Sequence, residues 1–179
     1  FFKTGKGEYA EGDVFLGLTV PLSRTIVRKY MNLPLGEIKK LLQSKYHEVR
    51  LVALLMLVEK FKRIPNERDE IYKVYLANTE HVNNWDLVDL SAPHIVGRYL
   101  STKKNRNILQ ELAKSDNLWE RRISILATFY FIVEDKEYKD TFEISEILML
   151  DNHDLIHKAV GWMLREVGKR ISEEEEEVF

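Results

Sequence analysis

The sequence predicts an all-α protein, a set of helix pairs stacked into an α-α superhelix with one concave face. Three observations predict it. Apolar residues recur at helical spacing from Pro21 onward, two-residue alternation is missing, and a two-helix unit repeats every 35–36 residues. A chain of 179 residues suits one domain or one short repeat array. Residues 1–172 are read as a single repeat domain, opening with a loop segment over 1–20, and 173–179 as an acidic tail.

The elements follow in order. Four of the eight glycines fall in the first seventeen residues, so Lys3 to Gly17 reads as a loop. Periodicity then predicts helices over 21–31, 35–43, 46–62, 67–78, 81–100, 104–114, 117–133, 139–149 and 153–170. Pro21 suits a helical first turn, where its missing N–H would have no partner anyway. Pro93 falls inside the fifth segment and is expected to kink or split it. The apolar run Val52 to Val58 could be a buried strand. Its Leu, Met and Ala content, with Glu and Lys following, favours a buried helix.

The repeat appears when Ser44, Thr79, Ser115 and Asp151 are aligned. All four residue types cap helix N-termini. Eight positions on stand Val52, Leu87, Ile123 and Ala159; eleven on stand Leu55, Leu90, Leu126 and Trp162. Columns three apart share a helix face, here expected to be the buried one. Such HEAT-like pairs cannot bury their apolar faces alone, so they stack. Six positions after each cap come Arg50, Trp85, Arg121 and His157; seven after come Leu51, Asp86, Arg122 and Lys158. Cations and aromatics recurring along a concave face would suit duplex DNA. The same columns also read as solvated helix flanks with scattered ion pairs.

Composition excludes several classes. There is no cysteine, hence no disulfide, thiolate metal site or cysteine nucleophile. No apolar run approaches the roughly 20 residues of a membrane span. No signal peptide is visible, and the chain opens at Phe1-Phe2, which leaves room for upstream residues. The net charge of −2 includes the run Glu173 to Glu177; without those five acids the balance is +3, so the folded part is mildly basic. That run reads as a solvated tail or a frayed helix end.

The segment Asn83-Asn84-Trp85-Asp86-Leu87-Val88-Asp89 is the most unusual. Trp85 and Asp89 share a helix face, and aspartate is a poor helix former in mid-helix. A carboxylate beside an indole could stabilise a cation such as the sugar formed when a glycosidic bond breaks. Equally, Asp86 and Asp89 could pair with Arg98 or cap a neighbouring helix. His153 and His157 are four apart, with Asp151 and Asp154 nearby, but the zinc-protease pattern is not met and the two acids read as capping residues. No metal and no cofactor are expected, and neither a Ser/His/Asp signature nor a phosphate-cradling glycine loop is present.

Three blocks resemble the AlkD-type DNA alkylation repair proteins, alkylpurine DNA glycosylases built from HEAT-like repeats. They are Asn84 to Asp89, Ser115 to Arg122 and Ile156 to Glu166, and they stand in the family's order on three successive repeats. Phe15-Leu16-Gly17, followed by Pro21 and Arg24, also resembles the family's N-terminal region. The resemblance implies a monofunctional glycosylase acting on cationic N3- or N7-alkylated purines in duplex DNA, without a base-flipping pocket. It implies Asp89 as the catalytic carboxylate, and Trp85 and Trp162 packing against the damaged nucleotide. It implies Arg122 on the backbone beside the lesion and Arg165 as a further basic contact. Phe2 corresponds to the remnant of an N-terminal aromatic that helps cradle the lesion. Lys158 joins the DNA-binding set from its column beside Arg122, and Arg121 is a neighbouring substitute for Arg122. The expected partner is duplex DNA containing alkylated purines, met by an intracellular, cytoplasmic monomer away from membranes. A non-catalytic array on damaged or branched DNA, or a protein-binding scaffold, would share the fold.

Overall fold

The computed structural model describes residues 2–177, with side chains over 2–172. Phe1, Val178 and Phe179 lie outside the described residues, as do the side chains of the five-glutamate run. The fold is all-α, as the periodicity predicts, and among the described residues the sole β feature is an isolated bridge between Val14 and Tyr46. Contacts divide the chain into two compact units, Phe1–Ser91 and Ala92–Phe179.

The first unit contains α1 (Val20–Lys29), α2 (Leu35–Leu42), α3 (His47–Arg63), α4 (Arg68–Leu76) and most of α5 (Trp85–Ala92). Helix α3 is its centre and packs against α1, α2 and α4. The run Val52 to Val58 is helical and buried throughout, which decides between the two readings of that segment. Burial on every side explains it: each such side chain removed from water contributes roughly 1.5–3 kcal/mol. Pro21 stands in the first turn of α1, as expected.

The N-terminal loop is tied to the start of α3. The carboxylate of Glu48 accepts the backbone N–H groups of Leu16 (2.8 Å), Gly17 (2.8 Å) and Leu18 (3.2 Å). Three amides converge on one side chain because Gly17 adopts φ +77°, a left-handed conformation that glycine takes without strain. Burial pushes the Glu48 carboxyl up, but those amide bonds outweigh it and hold it below its ordinary value.

The second unit contains α6 (Arg98–Ser101), α7 (Ile108–Ala113), α8 (Leu118–Tyr130), α9 (Lys139–Leu148) and α10 (Asp154–Glu177). Helix α8 packs against α7, α9 and α10. Pro93 divides the predicted 81–100 helix, as expected, with α5 ending at Ala92 and α6 starting at Arg98. It opens a π-turn over Pro93–Gly97 that runs into α6, a wider register that accommodates the missing N–H. Gly97 in that turn lies against α8, where an added Cβ would collide with the Ala127 carbonyl oxygen. Helix α10 continues to Glu177, so the backbone of the glutamate run is helical.

The repeat columns are partly corrected. Ser44, Ser115 and Asp151 do not cap the helices directly. Their side chains accept the backbone N–H two residues on, forming a turn just ahead of each helix. Column six then donates back to the aligned carbonyl: Arg50 to Ser44 O (2.9 Å), Arg121 to Ser115 O (2.9 Å), and the His157 ring to Asp151 O (2.5 Å). These side chains brace loops and do not simply face outward. Column eight is buried in all four repeats, whereas column eleven is buried at Leu55 and Leu126 and only half-buried at Leu90 and Trp162.

Candidate functional site

In the first unit the N-terminal loop, α1, α3 and α5 surround a groove of about 520 Å³. Helix α5 supplies one wall. Asn84, fully buried, accepts the Trp85 N–H at 2.9 Å, and Asp86 Oδ1 accepts the Leu87 N–H at 2.9 Å, so the helix starts sharply at Trp85. Trp85, Asp89 and Leu90 then line the groove, with Trp85 and Asp89 half-buried. On the far side of α5, the buried Tyr75 hydroxyl is hydrogen-bonded to Ser91 at 2.9 Å.

The N-terminal loop supplies the other wall. Phe2 stacks on Phe15 with centroids 4.9 Å apart and meets Trp85 at 5.8 Å, tilted by 38°. Thus Trp85, Asp89 and Phe2, each singled out from the sequence, line one groove.

Beneath the aromatic rings lies a charged cluster that sequence reasoning missed. His47 is 2% exposed and packs its ring against Phe15 at 4.8 Å and Phe2 at 5.1 Å. Its Nε2 lies 2.9 Å from Asp86 Oδ2, and its Nδ1 faces Asp13 Oδ2 at 3.6 Å, an ion-pair distance beyond hydrogen-bond range. Asp13 also accepts from Arg50 (2.6 Å), Asn83 (3.1 Å) and Asn84 (3.2 Å). Burial works against a charged imidazole, but the two carboxylates outweigh it and hold the His47 pKa at about 9. Burial also works against the Asp13 carboxylate. His47, Arg50 and Asn84 outweigh it and bring its pKa to about 2. Asp86 therefore pairs with His47, not with Arg98.

In the second unit, Arg121 donates to Asp151 (2.6 Å) and to two loop carbonyls, and Arg122 is buried with a 2.6 Å bond to the Leu155 carbonyl. Trp162 is half-buried against Phe129 at 5.7 Å. Lys158 and Arg165 are exposed, Lys158 pairing with Asp154 at 2.7 Å. His153 Nδ1 accepts the Leu155 N–H and His157 bonds Asp151 O, so both rings take part in the start of α10. Among the described residues no group of three His, Cys, Asp or Glu side chains is placed to hold a metal ion, and no helix is long and apolar enough to cross a membrane.

A family model described as DNA alkylation repair enzyme matches residues 1–179, the whole chain. The chain belongs to that family. No curated protein and no solved structure matches it significantly. Membership in the DNA alkylation repair enzyme family makes DNA the partner, and the Trp85–Asp89 segment that carried the resemblance lines the groove just described. The family match covers the segments with Arg122 and Trp162 as well, which lie in the second unit.

Proposed function

We propose that this DNA alkylation repair enzyme is a monofunctional DNA glycosylase that hydrolyses the N-glycosidic bond of purines made cationic by alkylation at N3 or N7. One observation carries the reading. Asp89 is a half-buried carboxylate one helical turn from Trp85, in a groove whose opposite wall is aromatic.

The chemistry follows from the leaving group. Alkylation at N3 or N7 already places a positive charge on the base, so the C1′–N bond breaks with its electron pair moving to the base and neutralising it. No general acid is needed to protonate the base. The sugar is left as an oxocarbenium-like cation. The Asp89 carboxylate stabilises that charge and orients a water; the water adds to C1′ and its proton is lost through Asp89 to solvent. The faces of Trp85 and Phe2 add cation–π stabilisation. Leu90 and the aromatic rings give the groove an apolar lining in which the carboxylate acts more strongly than it would in water.

The open groove suits a base that stays in the stack, since catalysis requires access to the sugar and not extraction of the base. Trp162, Arg122 and Arg165 are assigned to the damaged nucleotide and its backbone by the family motif alone. Lys158 and Arg165, being exposed, are the phosphate contacts of the second unit. No metal and no cofactor enter the scheme.

The test is chemical. Duplex DNA methylated by a methyl sulfonate should release free 7-methylguanine and 3-methyladenine, while duplexes carrying uracil or 8-oxoguanine, neutral bases, should release nothing. Tight duplex binding without release of any base would instead make the chain a non-catalytic DNA-binding array.

A further inference from the structure

Two carboxylates of α5, Asp86 and Asp89, line the groove. His47 engages the first. It bonds Asp86 at 2.9 Å and faces Asp13 at 3.6 Å, and its own backbone N–H donates to Val14 O at 2.9 Å. It therefore touches both walls at once. Asp13 and Val14 belong to the loop that carries Phe15, and Asp86 belongs to the helical turn that carries Trp85 and Asp89. We propose that His47 is a positioning residue for the glycosylase reaction, an imidazolium clamp that occupies Asp86 and fixes the aromatic wall against the Asp89 wall. The proposal rests on the glycosylase reading above.

First, His47 is buried, so its attraction to both carboxylates is little screened by solvent, and its 2.9 Å bond to Asp86 is also directional. Second, an unpaired Asp86 would be a second carboxylate one turn from Asp89. It would repel phosphate, and it would draw the sugar cation toward a position three residues from the one the groove presents. Third, the reaction tolerates little misplacement: a shift of about 1 Å in a catalytic group can cost about 100-fold in rate. The charged groups acting on His47 are Asp13 from the loop, Asp86 from α5 and Arg50 on α3 itself; Asp89, Glu48 and Arg24 line the same groove. Arg50 opposes the imidazolium's charge, while Asp13 and Asp86 favour it.

The test separates chemistry from binding. His47→Gln keeps the side chain's bulk and one donor to Asp86 but cannot carry the charge. With full-length protein and a duplex holding one 7-methylguanine, the single-turnover rate of base release should fall at least tenfold while the duplex Kd stays within threefold. The wild-type rate should also fall as pH rises through about 9, and the Gln variant should show no such step. An unchanged rate in the variant, or equal losses in rate and affinity, overturns the clamp. If His47→Gln fails to fold, the wild-type profile decides alone: a rate flat through pH 9, with helical content intact, overturns the proposal. Absence of release by wild type overturns the glycosylase reading itself, an outcome distinct from release that is indifferent to His47.

Discussion

Asp13 accepts hydrogen bonds from Arg50, Asn83 and Asn84 and faces His47, so one buried carboxylate joins the N-terminal loop, α3 and the start of α5. Its pKa of about 2 and that of His47 at about 9 both make stability depend on pH. The imidazolium contributes in full below its unfolded value near 6.5 and loses that contribution as pH rises through about 9. The carboxylate contributes in full above its unfolded value near 4 and loses it as pH falls through about 2. Stability should therefore peak between about pH 4 and 6.5 and fall on the order of 2–3 kcal/mol toward pH 9.5, read as a shift in urea midpoint. His47→Gln should flatten the alkaline limb. An alkaline limb of undiminished size in that variant would place the titrating group elsewhere.

At the scale of elements, the helices were legible because their signal is local. Every predicted helical segment contains a helix, and the buried face of α3 shows in Val52 to Val58. The boundaries that moved did so for local reasons: Ser44, Ser115 and Asp151 form turns ahead of their helices, and Pro93 opens a π-turn that no periodicity encodes. The charged cluster was illegible for a different reason. Asp13 lies 37 residues from Arg50 and 71 from Asn84, and no spacing rule links residues so far apart. Trp85 and Asp89 were legible because they share one helical turn and one motif. Gly97→Ala puts a Cβ into the Ala127 carbonyl of α8 and should destabilise by about 3 kcal/mol, seen as a lower thermal midpoint. Glu48→Gln leaves three loop amides with a weaker acceptor, so amide exchange at Leu16, Gly17 and Leu18 should accelerate while α3 stays protected.

At the scale of the whole molecule, the net charge of −2 conceals a body that is +3 once the glutamate run is set aside. Duplex binding should come mainly from phosphate contacts and weaken steeply with salt, each contact adding about 0.9 to the slope of log K against log salt. Lys158→Glu and Arg165→Glu should each lower that slope by about one and weaken damaged and undamaged duplexes alike. A protein-binding scaffold would show no duplex affinity to lose. In the proposed reaction Asp89 does the chemistry on a base that is already a good leaving group. The most direct measurement is single-turnover release of 7-methylguanine from duplex DNA by wild type and by Asp89→Asn, with duplex affinity measured alongside. Wild type should release the base, Asp89→Asn should lose at least 100-fold in rate, and its duplex affinity should stay within a few-fold of wild type. Equal rates in the two proteins would contradict that role for Asp89.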